Sequence, residues 1–288
     1  MPSTRALKTR VRSVRSIRQI TKAMQLVAAS RMRRAQENSK ASDAYTNAAR
    51  QILENISTQT EVSRHPLFVK RAIKNRLIVL ISSDKGLAGA FNTNIFKLYT
   101  KTLREDQANH IKTSTITIGR KAAAFVAKIK DVEVLGSYTE LPDRPTGSEL
   151  IGLMDTIRKA YISGQVDAVD VLYTDFVSSI SQVPVSTRVL PAGFNEIPTT
   201  RLNTVTYEPS VEEVLDGVAF RLVEAQVFQA LLDSRASEYS MRMIAMKNAT
   251  DNASDLIDDL TLEMNKARQG AITQELAEIS GGVEAMKE

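Results

Sequence analysis

Positions spaced alternately four and three apart from Val211 onward are almost all apolar. The series runs Val211, Leu215, Val218, Leu222, Ala225, Gln229, Leu232, Ala236, Tyr239 and Met243. It continues through Met246, Thr250, Ala253, Ile257, Leu260, Met264, Ala267, Ala271 and Gln274, and only Gln229, Thr250 and Gln274 interrupt it. An apolar repeat held to this period predicts a helix of a left-handed coiled coil. From Val211 to Gln274 such a helix would extend roughly 95 Å. That is longer than a compact domain, so the helix either protrudes or packs in a bundle.

A second stripe lies near the N-terminus, where Val11, Val14, Ile17, Ile20, Met24 and Val27 recur every three or four residues. Tyr45, Ala49, Ile52 and Ile56 resume it. Both stripes contain small residues (Ala28, Ala29 and Ala35; Ala253, Ala267 and Ala271), which let two helices approach closely. The simplest way to cover both stripes is to pair the two chain ends as an antiparallel coiled coil.

The middle of the chain has a different texture. It is expected to form strands at Arg76–Ser82, Ser114–Ile118, Val132–Leu135, Ala168–Tyr173 and Val185–Leu190, with helices at Asn92–Arg104, Lys121–Lys130 and Glu149–Ile162 between them. Alternating strands and helices predict a largely parallel, Rossmann-like sheet flanked by helices. Gly and Pro agree with this division. Neither occurs between Ser3 and His65, and Gly217 is the sole example between Ser210 and Gln269. The expected organisation is therefore an N-terminal coiled-coil helix over residues 1–65, an α/β domain over 66–209, and a C-terminal helix over 210–288.

Composition narrows the chemistry. Cys is absent, which removes disulfides, thiolate ligands and thiol nucleophiles. His65 and His110 are the two histidines, and neither belongs to a metal-binding spacing. No apolar run approaches the 18 residues needed to span a bilayer. Residues 1–36 hold ten Lys or Arg and no acid, so the net charge of +5 leaves −5 for the remainder. Such a basic start also describes a transit peptide, but it runs unbroken into the helical stripe. It would suit nucleic acid, acidic lipid or an acidic protein surface; the apolar stripe on the same segment favours a protein assembly.

The loop Ser83-Asp84-Lys85-Gly86-Leu87-Ala88-Gly89 sits where a phosphate loop would, after a strand and before a helix. Its GxxG spacing matches neither GxxxxGK[ST] nor GxGxxG, so a tight turn is expected. Asp255 and Asp259 share a helix face, with Asp258 beside them; a solvated face is expected there. No catalytic constellation, metal set or cofactor fingerprint stands out.

Several stretches resemble a known family. Ile17-Arg18-Gln19-Ile20-Thr21-Lys22-Ala23-Met24-Gln25-Leu26-Val27-Ala28-Ala29-Ser30-Arg31 is similar to the N-terminal signature of F-type ATP synthase γ subunits. Ser237-Glu238, Arg242–Asn252 and Asn265–Ile279 are similar to that family's C-terminal helix, and Ser83–Asn92 to its SDxGLxGxxN element. Ser181-Gln182-Val183-Pro184 is a further, weaker match. The resemblance implies a central rotor shaft, one copy per complex, without an active site or cofactor of its own. The terminal coiled coil would enter a hexamer of α and β subunits, and the α/β domain would form a foot against ε and the c-ring. Arg268 and Gln269, with Thr273 nearby, would engage a loop of β. Lys22 and Met24 would lie where the shaft passes β, and Arg31, Arg33 and Arg34 would meet its acidic lever. Tyr207, Glu208 and Pro209 would lie near ε and the c-ring. The start at Met1 close to the helix signature implies a bacterial chain, peripheral at the cytoplasmic face of the plasma membrane. The sequence departs from the family at Met264, where an aromatic is expected, at Gly270, where Ala or Ser is usual, and at Ala88, where some relatives carry Cys.

Overall fold

A computed structural model describes residues 4–57, 67–69, 71–142, 145–192 and 211–285. In chain order these form helix α1 (Thr4–Ser57), strand β1 (Asn75–Ile81), α2 (Phe91–Ala108), β2 (Lys112–Ile118), α3 (Arg120–Val126), β3 (Glu133–Tyr138), α4 (Ile151–Ile162), β4 (Ala168–Phe176), β5 (Gln182–Leu190) and α5 (Val211–Ala285). Two compact units result: residues 1–28 with 243–288, and residues 29–242. The two long helices contribute to both.

Within the larger unit the strands lie in the order β3-β2-β1-β4-β5. The first four are parallel, and β5 pairs antiparallel with β4 at the edge. β1 is central, so both its faces must be apolar. Leu77, Val79 and Ile81 enter a core closed by α4 and by Leu222, Val223, Val227 and Leu231 of α5. Ile78 and Leu80 point the other way, to Ile95 and Tyr99 of α2 and Ala122 and Val126 of α3. The run Leu77–Ile81 is thus a doubly covered strand rather than an alternating one.

The crossover from β2 to α3 turns on Gly119, whose φ is +95°. A Cβ there would lie 2.3 Å from the Ser82 carbonyl oxygen. Gly119→Ala therefore combines backbone strain with a clash against backbone. It is expected to cost at least about 3 kcal/mol, read as a lower urea midpoint for the full chain.

In the smaller unit α1 and α5 run antiparallel. Leu7 and Val11 share a buried cluster with Ile257 and Leu260, flanked by Val14, Met264 and Ala267. Further along, the Thr21 and Thr250 hydroxyls are 2.8 Å apart. In the larger unit the same two helices meet through Met32 and Ala35 against Ala236 and Tyr239. The α5 seam matches the 4-3 spacing: its positions are buried or half-buried from Leu222 through Ala267. The side chains of Val211, Leu215 and Val218 lie outside the described set.

The α1 seam differs from the expected stripe. Ile17, Ile20 and Val27 are more than half exposed, as is Tyr45. The residues turned inward are Leu7, Val11, Val14, Thr21, Gln25, Ala28, Met32, Ala35, Ser39, Ser42 and Thr46. At about 100° per residue, each step of three falls about 60° short of a full turn. Three such steps carry Val11→Val14→Ile17→Ile20 to the opposite face. The true seam keeps the 4-3 period, apart from exposed Arg18, by accepting Thr, Gln and Ser.

One of these polar layers is titratable. Ser39 Oγ donates to Asp233 Oδ1 at 2.6 Å, and Gln229 Nε2 donates to the same oxygen at 3.0 Å. Burial nevertheless pushes the Asp233 carboxyl up to about 6, outweighing these bonds and assisted by nearby Asp175 and Asp43. A raised carboxyl stabilises the fold in its neutral form. Its contribution is full below the unfolded value near 4 and is lost as pH rises through about 6. Asp233→Asn, which keeps the acceptor, is expected to gain up to about 3 kcal/mol over wild type at pH 8. That gain should vanish toward pH 4 in paired thermal melts.

Candidate functional site

In open parallel sheets, ligands enter at the carboxyl ends of the strands, beside the point where strand order reverses. Here that point lies between β1 and β4, and its edge holds the loops following β1, β3 and β4. Helix α5 of the same unit occupies it. Arg235 Nη2 donates to the Leu141 carbonyl, beyond β3, at 3.0 Å, and lies 3.9 Å from the Asp84 carboxylate, beyond β1. Arg242 donates to the carbonyls of Lys85 and Gly86 at 3.1 and 3.2 Å. Ser240 Oγ donates to the Ser179 carbonyl, beyond β4, at 2.7 Å. Three strand-end loops are thereby fastened to one helix.

Glu238 links the cations. It is 4% exposed and sits 2.7 Å from Arg242 and 3.9 Å from Arg235. Arg235, Glu238 and Arg242, spaced three and four apart, share one helix face. Tyr239 lies beneath the Arg31 and Arg242 guanidinium groups, each 5.8 Å from its ring centre. Asp84 Oδ1 accepts the backbone N–H groups of Arg120 and Glu140 at 3.0 and 3.2 Å, so a single carboxylate ties the loops after β1, β2 and β3. Ser83 bonds Asn92 through both backbone and side chain, closing the turn into α2. The Ser83–Gly89 loop is therefore a tight turn, as its spacing implied. Two of its carbonyls, those of Lys85 and Gly86, are taken by α5.

This clamp was not recognised from sequence as a site. Its signal is a charged trio at helical spacing flanking an apolar seam; a charged helix face is ordinarily read as solvated. Among residues singled out earlier, Arg31 is half-buried over Tyr239, whereas Arg33 and Arg34 are exposed. In the smaller unit Lys22 is exposed and Met24 half-buried. Arg268, Gln269 and Thr273 are exposed, and Thr273 Oγ1 donates to the Gln269 carbonyl at 2.9 Å. From Arg268 through Ser280 every side chain of α5 is exposed. Asp255, Asp258 and Asp259 are exposed as well. Tyr207, Glu208 and Pro209 lie outside the described residues. No helix of the described chain is long and apolar enough to cross a membrane.

A mostly parallel sheet whose strand-end loops are fastened to its own long helix, with the chain ends paired as antiparallel helices, is the fold of an α/β domain built on a helical stalk. The family model described as "ATP synthase" matches residues 3–286. The ATP synthase gamma chains of Legionella pneumophila (strain Corby) and Ralstonia nicotianae are each 37% identical to this chain, over 289 and 292 residues. Each alignment covers 99% of this chain and 100% of the relative. The central stalk of the Tetrahymena thermophila mitochondrial ATP synthase is 25% identical with a TM-score of 0.63, over 80% of this chain and 99% of that one. A rotor chain of the Euglena gracilis mitochondrial enzyme, at 17% identity and a TM-score of 0.68, shares the fold over 93% and 98%. The chain belongs to the ATP synthase γ-subunit family: it is a non-catalytic, central-stalk component of that complex.

Proposed function

We propose that the chain is the rotor shaft that carries c-ring rotation, driven by protons, to the catalytic sites of an α/β hexamer. The observation that carries this reading is the fate of α5. Its 4-3 seam meets α1 from Gln229 to Ala267, and from Arg268 through Ser280 every side chain is exposed. A paired rod resists bending and twisting, and an unpaired tip presents every face to a surrounding bearing. Rotation of an asymmetric rod offers each β subunit a different face in turn, so three equivalent sites hold different affinities.

In this reading residues 66–209 form the foot, and residues 1–65 and 210–288 the shaft. Arg268, Gln269 and Thr273 meet β at the tip. Lys22 and Met24 meet it lower down, and Arg31, Arg33 and Arg34 face its acidic lever. Tyr207 and Glu208 contact ε and the c-ring. The complex stands at the cytoplasmic face of a bacterial plasma membrane, and this chain touches the membrane only through the c-ring.

The test is reconstitution with α and β from the same source. The chain has no Cys, so Lys101→Cys, on an exposed turn of α2, gives a unique attachment point for a bead. Stepwise unidirectional rotation during ATP hydrolysis is expected. A hexamer that hydrolyses ATP with the bead at rest would sink the proposal.

A further inference from the structure

Helices α2 and α3 cover the face of the sheet opposite α5, and a groove of about 580 Å³ opens between them. Its floor is aromatic. Phe96 of α2 and Phe125 of α3 stack with ring centres 4.2 Å apart and planes 5° from parallel. Tyr99 meets Phe125 edge-on at 6.4 Å, and its hydroxyl lies 2.8 Å from Thr115 Oγ1 of β2. Tyr99 is fully buried, so the sheet fixes the floor from below, while Phe96 and Phe125 remain half-buried. A surface already held in place by three packed rings loses little freedom when a partner is laid on it.

The rim is cationic. Lys97, Lys101 and Arg104 recur along one face of α2 at helical spacing, line the groove, and are all exposed. Lys101 reaches Glu105 at 3.7 Å, an exposed contact that water screens. Lys97 and Arg104 have no ion pair among the described residues. The surrounding stretch does not neutralise them. Residues 91–130 hold eight Lys or Arg against two acids, Glu105 and Asp106, and Asp106 is 2% exposed and bound to Arg76. The groove therefore joins an apolar floor to a positive rim, and Glu105 is the single acid among its lining residues.

We infer that this groove is a docking surface for an acidic peptide segment of a partner protein. The segment lays an aromatic or branched side chain on Phe96 and Phe125 and sets its carboxylates against Lys97 and Arg104. Charge complementarity gives the sign of the partner, and the recessed floor gives its class. A lipid surface is flat and leaves rings sunk between two helices uncovered. A nucleic-acid strand stacks its bases on open ring faces, whereas Phe96 and Phe125 each spend one face on the other. A peptide side chain can enter between the helices, and the groove has the volume usual for a binding site.

Calorimetric titration of the full chain with the end-blocked peptide Asp-Glu-Phe-Leu-Asp-Glu tests the surface. Binding is expected, weakening as ionic strength rises. It should fall by at least about tenfold in the double variant Lys97→Glu with Arg104→Glu, and by as much for a peptide with Ala in place of Phe and Leu. The two substituted side chains are exposed, so the variant's thermal melt should match wild type. The same variant should gain binding of Lys-Lys-Phe-Leu-Lys-Lys, which wild type rejects; a gained partner is not the mark of a folding defect. Absence of acidic-peptide binding, unchanged affinity in the double variant, or equal binding of the Ala peptide would overturn the proposal. Phosphatidylglycerol vesicles or oligothymidylate bound through Lys97 and Arg104 in place of the peptide would assign the groove to lipid or nucleic acid and overturn it as well. Because the titration uses the chain alone, its outcome is independent of whether the shaft turns.

Discussion

Replacing Asp170 with alanine is expected to lower the unfolding free energy of the full chain by about 3–5 kcal/mol. Asp170 is 3% exposed in the middle of β4. Arg188, directly across on edge strand β5, grips both its oxygens through Nε and Nη2. Arg76 of β1 approaches from the other side at 3.4 Å, a charge contact without hydrogen-bond geometry, and anchors itself on Asp106 at 3.0 Å. Removing the central carboxylate takes the bidentate partner from the part-buried Arg188 guanidinium and weakens the link between the sheet centre and its antiparallel edge. At roughly 2–4 °C per kcal/mol for a chain of this size, the melting temperature should fall by about 10 °C. The double variant Asp170→Leu with Arg188→Met should recover most of the loss, because no buried charge is then left unpaired. If it does not, packing rather than the ion pair holds β5.

Glu238→Ala is expected to separate ATP hydrolysis from proton pumping in the assembled complex. Glu238 pairs with Arg242 and Arg235, the two side chains that fasten α5 to the loops after β1 and β3. Without the carboxylate, two guanidinium groups that are 11% and 12% exposed repel one another across about two helical turns. Each charge-assisted bond contributes about 1.5–3 kcal/mol, so the hold of the sheet on the helix weakens by several kcal/mol. In the proposed rotor, torque that passes through this contact then meets a compliant element. Phosphate release should stay near the wild-type rate, while dye-quenching proton uptake per ATP falls by more than half. If both activities fall together, the clamp serves folding rather than transmission.

The sequence carried much of this design, unevenly. The α5 seam was legible because its residues keep a 4-3 period over many heptads, and Leu222 through Ala267 face inward as that period requires. Strand β1 was legible because five consecutive branched apolar residues fit a doubly covered strand and little else. The α1 seam was not, because Thr21, Gln25 and Ser39 hold core positions while Ile17, Ile20 and Val27 face out. Hydrophobicity alone cannot separate an inward stripe from an outward one when both lie on one helix. The clamp escaped for a related reason. Arg235, Glu238 and Arg242 satisfy one another and the carbonyls of distant loops, and those partners, 94 or more residues away in the chain, are not visible in local spacing.

The pairing of the two chain ends also sets a timetable for the ribosome. Thr21 and Thr250 are 229 residues apart. At roughly 5–20 residues per second, α1 waits about 10–50 s for its partner to be made. Throughout that interval Leu7, Val11 and Val14 have nothing to pack against. The ten positive charges of residues 1–36, unrelieved by any acid, make nascent α1 segments repel one another while they wait. Like charge along the unpaired segment thus opposes its self-association until α5 arrives.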